Sequence, residues 1–366
     1  MSWPASEDLL APLAPWFDRT HRELPWRAQD LGAPHGDPYA VLVSELMLQQ
    51  TQVATVVPYF RRWMAQFPTV QALAAADEDT VHKAWEGLGY YRRARFLKAA
   101  AGTIAAEGWP SDLDGLAGLP GLGPYAAAAL GAIAFQWPTP ALDGNAFRVL
   151  ARLLLIECEP RDMASELRAW LIPALQKHGP SRLTQALMEL GATQCTPQPT
   201  CLACPLSPHC EARSNARMAV IPPTTKRAKV SVHALWLVAM EAEGHLLLQR
   251  PSAVGLLAGL WRWPSLEAAH IQPQSLLPCP VPATVWPEWK QVYTHRHELV
   301  RPLHLRLKER FSAAEGFQWM PMNALPGLPL GKRDQRLRGL LGTSGQTPLG
   351  SPSLAELMHA CATPSG

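Results

Sequence analysis

Apolar residues recur every three or four positions through most of the first 190 residues. The recurrence is clearest over 40–48, 53–65, 81–106, 124–135, 146–156 and 164–176. That spacing puts one face of an α-helix against a core. Phe67-Pro68, Gly108-Trp109-Pro110 and Gln136-Trp137-Pro138 interrupt it, so short turns join the helices. Beyond residue 230 the texture changes. Short β-compatible runs at 232–240 and 245–250 flank Glu243-Gly244, which is a hairpin signal. Strand-like runs follow at 290–295 and 300–308. The pattern predicts a mainly α-helical domain over 1–214, a linker over 215–230 and an α+β domain over 231–342. A tail rich in Gly, Pro and Ser covers 343–366, with room for a short helix at 353–361.

Composition bounds this picture without changing it. The chain has 366 residues, 48% hydrophobic and 17% charged, which suits two globular domains. The net charge of +3 is too small to demand a polyanionic partner. Arg92-Arg93-x-Arg95 with Lys98, and Lys332-Arg333 with Arg336 and Arg338, are local basic clusters. The linker adds Lys226, Arg227 and Lys229. Each cluster alone reads equally well as a solvated face. No apolar run is long enough to span a bilayer. The opening MSWPASEDLL lacks the basic start and apolar stretch of a signal peptide. The expectation is a cytoplasmic protein with no membrane partner.

Four of the seven cysteines, Cys195, Cys201, Cys204 and Cys210, fall within sixteen residues. In a reducing compartment clustered thiols favour a metal over disulfides. A loop this tight suits a [4Fe–4S] cluster, with zinc as the alternative. Cys158, Cys279 and Cys361 are scattered and read as structural or incidental.

Two carboxylates stand out. Glu45 is the only charge between Asp37 and Arg61. Asp37-Pro38 starts its helix well, with Asp as N-cap and Pro at the first position. In a pocket Glu45 would be held protonated, as a general acid needs; on an exposed face it would be ordinary. Asp143, in Leu142-Asp143-Gly144-Asn145, precedes another helical run. It reads as an N-cap, and the helix end would also keep it ionised. One apolar and one capped carboxyl suit acid-assisted glycosidic cleavage through an oxocarbenium-like state. Between them lies Leu119-Pro120-Gly121-Leu122-Gly123, followed by Pro124, Tyr125 and four alanines. This tight turn opens a helix, and its glycines let backbone approach a phosphate.

Taken together these residues resemble the adenine DNA glycosylases of the MutY type, within the helix–hairpin–helix superfamily that includes endonuclease III. Leu24-Pro25-Trp26-Arg27, the run 44–53 (SELMLQQTQV), Trp85-Glu86-Gly87-Leu88-Gly89-Tyr90-Tyr91, the hairpin, Leu142–Asn145 and the cysteine loop occur in family order. The resemblance covers nearly the whole chain.

The resemblance implies a monomeric, monofunctional enzyme of base excision repair. Its partner would be duplex DNA with adenine opposite 8-oxoguanine or guanine. Glu45 would protonate N7 of a flipped adenine. Asp143, oriented by Asn145, would stabilise the sugar cation or bond transiently to C1′, and Tyr125 would pack beside the sugar. Bifunctional relatives have Lys where Tyr125 stands, so a Schiff base is not expected. Leu24, Trp26, Arg27 and Glu189 would line the adenine pocket. Gln50, Thr51, Leu88 and Tyr90 would fill the duplex, and Gly121 and Gly123 would meet its backbone. The second domain resembles the family's Nudix-like module without a Nudix box. Its 256–264 run matches a Gly- and Trp-containing strand, and Tyr293, Thr294 and His295 match the loop that reads 8-oxoguanine. The first cysteine gap is five residues, one fewer than usual in the family. The loop between Arg27 and Asp37 looks long.

Overall fold

The structure, a computed structural model, describes residues 3–28, 30, 35–223, 230–252, 257–267, 282–293 and 296–345. Thr294, His295, the linker cations, Cys279, Cys361 and the 353–361 segment lie outside them. In chain order come α1 (Ser6–Leu9), α2 (Leu13–Thr20), α3 (Pro38–Leu48), α4 (Val53–Gln66), α5 (Val70–Ala75), α6 (Glu78–Ala84) and α7 (Arg92–Glu107). Then follow α8 (Leu113–Gly118), α9 (Pro124–Phe135), α10 (Gly144–Leu154), α11 (Ala164–His178), α12 (Pro180–Thr193) and α13 (Glu211–Ser214). The strands are β1 (Ser231–Ala242), β2 (His245–Gln249), β3 (Ser265–Glu267), β4 (Ala283–Val285), β5 (Trp289–Val292), β6 (Arg296–Arg306) and β7 (Phe317–Pro321), before α14 (Lys332–Leu340). These divide into two compact units: Met1–Ala76 with Phe96–Lys226, and Asp77–Arg95 with Arg227–Gly366.

The first unit is helical. Its two most enclosed helices are α3 and α9, which pack on each other. Every residue from Tyr39 to Met47 is buried, and so is every residue from Ala126 to Ala134. A helix apolar on all sides belongs inside. The alanines of α9 let its neighbours approach closely. Asp37 caps α3 by accepting from the Tyr39 amide at 3.0 Å, with Pro38 at the first position. A second apolar cluster joins α2, α10, α11 and α12, including Phe17, Leu150, Leu171 and Leu187.

The second unit holds a seven-stranded mixed sheet, in order β4-β6-β1-β2-β7, with β3 on β1 and β5 on β6. Strands β1 and β2 form the expected antiparallel hairpin. Its turn residues Glu243 and Gly244 both have positive φ, 50° and 71°, as primed hairpin turns require. Strand β1 also pairs with β6, in parallel, from Ser231↔Arg296 to Glu241↔Arg306. Leu235, Leu237 and Ala239 join one apolar cluster, Val238 and Met240 another. Alternation thus sends the strand's side chains to opposite faces.

Three expectations needed correction. The 81–106 run is two helices, α6 and α7, not one. Gly87, Gly89 and Tyr90 between them have φ of 94°, 82° and 50°, and a left-handed stretch ends a helix. Periodicity continues across the break because Trp85, Leu88 and Tyr91 of the turn are themselves buried. The 256–264 run is no regular strand in its described part. It is a turn followed by isolated bridges, Gln249↔Arg262 and Trp261↔Leu330. Gly259, at φ +82°, lies where a Cβ would meet the His82 ring at 2.4 Å. The basic clusters are partly internal. Arg93 and Arg333 are only 6% and 5% exposed. Burial alone would lower the pKa of Arg333, but Asp334 and Glu298 outweigh it and raise it.

Candidate active site

A cleft of about 520 Å³ opens in the helical unit, within the ~300–1,000 Å³ range of small-ligand sites. Helix α3 supplies Glu45, and the turn after it Gln50 and Thr51. Helix α9 supplies Tyr125. Asp143 and Asn145 come from the start of α10, and Gln185, Met188 and Glu189 from α12. The 22–27 segment adds Arg22, Leu24, Trp26 and Arg27. The fold thus gathers both carboxylates with Tyr125, Asn145 and the residues matched to the adenine pocket.

The two carboxylates live in different surroundings. Glu45 is 9% exposed on an otherwise apolar helix. Burial pushes its pKa up to about 7 against the opposing hydrogen bond with Tyr125, and the charge of Asp143 adds to the rise. Burial also pushes the Tyr125 phenol well above its ordinary value. Its hydroxyl also lies 4.0 Å from Met188 Sδ. Asp143 caps α10 by accepting from the Ala146 amide at 2.7 Å. Its other oxygen accepts from Asn145 Nδ2 at 2.9 Å. Arg148 donates to Asn145 Oδ1 at 2.8 Å and to the carbonyls of Gly191 and Cys195 at 2.8 and 2.7 Å. Helix α12 comes close enough that a Cβ on Gly191 would sit 2.6 Å from Asn145 Cβ. Gly191 and Arg148 therefore set the amide that holds Asp143. Neither stood out in the sequence, where one is a helical glycine and the other a helical cation.

Glu189 is 1% exposed. It accepts from Arg22 Nε and Nη2 at 2.7 and 3.0 Å, and from Arg27 Nη2 at 2.7 Å. Burial alone would raise its pKa, but these donors outweigh burial and lower it. Arg27 stacks over Phe17, and Trp26 packs edge-on to Phe60 at 5.3 Å. The cleft wall is thus a paired charge cluster on an aromatic base. Arg22 was not foreseen, because only the fold brings it to a residue 167 positions away.

The hairpin turn lies between α8 and α9. Gly121 has φ +81°, and a Cβ there would meet Phe96 Cβ at 2.5 Å. Gly123 is the N-cap residue of α9, with Pro124 first in the helix. The first amides of α9 are therefore available to an acceptor.

Cys195, Cys201, Cys204 and Cys210 carry free thiols in a loop of short 3₁₀ turns. Burial pushes Cys204 up to about 11, and the other three thiols add to that rise, so each of them lies within electrostatic reach of Cys204. Arg152, 3% exposed, anchors the loop. It donates to the carbonyls of Thr196, Pro197 and Ile221 at 2.6, 3.2 and 2.9 Å, and its Nη1 lies 3.5 Å from Cys195 Sγ. Among the described residues no three His, Cys, Asp or Glu side chains are spaced for a single ion. Four cysteine thiols in one loop are a donor set used both by iron–sulfur clusters and by single tetrahedral ions.

Leu88 and Tyr90 do not line the cleft; they belong to the second unit. Leu88 is buried, and Tyr90 is 45% exposed. Tyr293 follows β5 and is half-buried, its hydroxyl without a hydrogen-bond partner among the described residues.

Residues 43–173 match the family described as HhH-GPD superfamily base excision DNA repair protein. The chain is 38% identical over 295 residues to an adenine DNA glycosylase of Arabidopsis thaliana, covering 69% of this chain and 46% of that one. It is 41% identical over 210 residues to an adenine DNA glycosylase of Mycolicibacterium smegmatis, covering 55% of this chain and 68% of that one. The chain thus spans about half the length of the plant relative. A solved thermostable thymine-DNA glycosylase shares the fold, with a TM-score of 0.50 at 20% identity over 58% of this chain and 97% of that one. With its carboxylate pair, hairpin and cysteine loop in one helical unit and a mixed sheet in the other, the chain belongs to the MutY-type adenine DNA glycosylase family.

Proposed function

We propose that this protein removes adenine mispaired with 8-oxoguanine or guanine in duplex DNA, as a monofunctional glycosylase of base excision repair. The observation that carries the reading is the pairing of Glu45, with a pKa near 7, and helix-capped Asp143 in one cleft. Protonated Glu45 gives its proton to N7 of the flipped adenine. The C1′–N9 bond then breaks, and its electron pair leaves with the base. Asp143 meets the positive charge at C1′, as ion or as transient ester. Water adds to C1′ and returns a proton to Glu45, which completes a retaining hydrolysis. Among the described residues Arg22 and Arg27 are the cations lining the cleft, and no lysine lines it. That supports hydrolysis without a Schiff base.

The Gly121–Gly123 turn and the first amides of α9 would hold a DNA phosphate. Tyr90, Gln50, Thr51 and Leu88 would fill the space left by the base. Tyr293, with Thr294 and His295, would read the opposite 8-oxoguanine. Cys195, Cys201, Cys204 and Cys210 would hold a [4Fe–4S] cluster, which supplies a fixed electrostatic and structural anchor for the loop.

Single-turnover base release from a duplex with adenine opposite 8-oxoguanine tests the reading, with adenine opposite thymine as control. Strand cleavage should appear only after alkali and only for the lesion pair. Breaks without alkali would point to lyase chemistry. No base loss from either duplex would leave a binding protein instead.

A further inference from the structure

The turn between α6 and α7 has an exposed aromatic at its tip. Tyr90 is 45% exposed and has φ of 50°. A bulky residue in left-handed backbone persists only where its surroundings hold it. Trp85 Nε1 and Arg93 Nη2 donate to the Gly89 carbonyl at 3.0 and 3.1 Å. The Arg93 guanidinium lies over the rings of Trp85 and Tyr90, at 5.4 and 5.2 Å.

The base of this turn is fastened to a distant stretch of the same unit. The Leu330 amide donates to Glu86 Oε1 at 3.1 Å. The Tyr91 hydroxyl donates to the Leu330 carbonyl at 3.4 Å and accepts from the Gly87 amide at 3.0 Å. Both backbone groups of Leu330 are thus engaged by the turn. Leu330 also bridges to Trp261 and lies two residues before α14, with Gly331 between as its N-cap. From α14, Arg333 donates to Glu298 Oε2 at 3.3 Å, and Asp334 accepts from the Trp263 amide at 2.9 Å. Arg333, Glu298 and Asp334, together with Arg296, are the charges that act on Tyr293. Hydrogen bonds therefore tie the Tyr90 turn to Leu330, and the chain continues from Leu330 into α14, whose Arg333 and Asp334 act electrostatically on Tyr293.

We propose that Glu86 and Tyr91 are positioning residues that fasten the Tyr90 turn to Leu330, so that Tyr90 and Tyr293 are borne by one unit and engage duplex DNA together. The proposal rests on the reading of the protein as an adenine glycosylase. It makes lesion recognition and filling of the duplex one event rather than two. Neither Glu86 nor Tyr91 touches the cleft.

The test uses the full chain and the double variant Glu86→Ala, Tyr91→Phe. Its preference for adenine opposite 8-oxoguanine over adenine opposite guanine should fall about tenfold, the effect of losing one or two hydrogen bonds. Its rate on the guanine mispair should hold, and its unfolding midpoint should fall by no more than the loss of these hydrogen bonds explains. Glu86→Gln keeps an acceptor for the Leu330 amide and should retain the preference. A stable double variant with unchanged preference overturns the proposal. A second measurement, on the wild type, is hydrogen exchange with and without lesion duplex. Amides of 86–91 and 328–331 should gain protection together; gain at one stretch alone overturns the proposal. That measurement decides even if the double variant fails to fold. It also decides if the wild type binds but releases no adenine, an outcome that sinks the proposed function and not this coupling.

Discussion

The side-chain amide of Asn145 donates to Oδ2 of Asp143 at 2.9 Å, while the other Asp143 oxygen is taken by the Ala146 amide. Both carboxylate oxygens are therefore held, and the group is fixed in orientation as well as in charge. Arg148 holds the far end of the amide. An amide fixed at its oxygen can present only its N–H to Asp143. Asn145→Ala should slow base release roughly 10- to 100-fold, the worth of one hydrogen bond to a charged group. Arg148→Lys, which cannot span three acceptors with the same planar fork, should slow it in the same direction by less. Single-turnover rates at saturating enzyme check both.

Glu45 links chemistry and stability. As the acid it must be protonated, so base release should be flat at low pH and fall as pH rises past about 7. Glu45→Gln should lose about 10²–10⁴-fold in rate. The stability contribution moves in the same direction with pH. The folded-state pKa lies above the ordinary 4.5, so the stability Glu45 contributes is fully present below that value and is lost as pH rises through about 7. The Gln variant has no such loss. It should match the wild type near pH 4.5 and exceed it at pH 8, on the order of a few kcal/mol. Denaturant unfolding at the two pH values gives the comparison.

Glu189 neutralises two guanidinium groups in the cleft wall. Arg27 is 9% exposed on its side chain, so removing its partner leaves a charge that water cannot reach. Glu189→Ala should destabilise by about 3–5 kcal/mol, read as a lower unfolding midpoint. Its pKa is lowered by its partners. The stability it contributes is therefore present above the ordinary carboxylate range and lost as pH falls through the depressed value.

Arg152 ties the cysteine loop to α10 and to the Ile221 carbonyl. Arg152→Met keeps the stem and removes every donor. The purified variant should contain less iron and show weaker visible absorption, and chelator should strip it faster than the wild type. Full iron content in a folded variant would show that the thiols alone hold the loop.

Gly121→Ala places a Cβ against Phe96 and demands left-handed backbone of a residue that disfavours it. Duplex affinity should drop severalfold for matched and mismatched DNA alike, because a phosphate contact carries no base identity. Fluorescence anisotropy with both duplexes would show whether the loss is uniform.

Much of this was legible along the chain. The caps at Asp37 and Asp143, the hairpin at Glu243-Gly244 and the all-apolar α3 and α9 rest on neighbours a few residues away. Local backbone chemistry and periodicity report such features directly. Glu45 was conspicuous as one charge in a long apolar stretch. The break between α6 and α7 was missed because Trp85, Leu88 and Tyr91 keep a helical spacing while the glycines between them end the helix. The parallel pairing of β1 with β6 left no local trace, since its register depends on partners some sixty residues apart.

What remained for the tertiary structure was everything that depends on desolvation and on distant partners. A sequence shows that Glu45 is a carboxylate among apolar residues. Only the packing of α3 against α9 removes its water, and only α10 sets the charge of Asp143 against it. In the same way Glu189 is one acid in an amphipathic helix until the fold delivers Arg22 and Arg27 to it. Local propensity decides which residues cap and which face inward. Proton affinity and ion pairing follow from distances in space and from excluded water, and those exist only once the chain is folded.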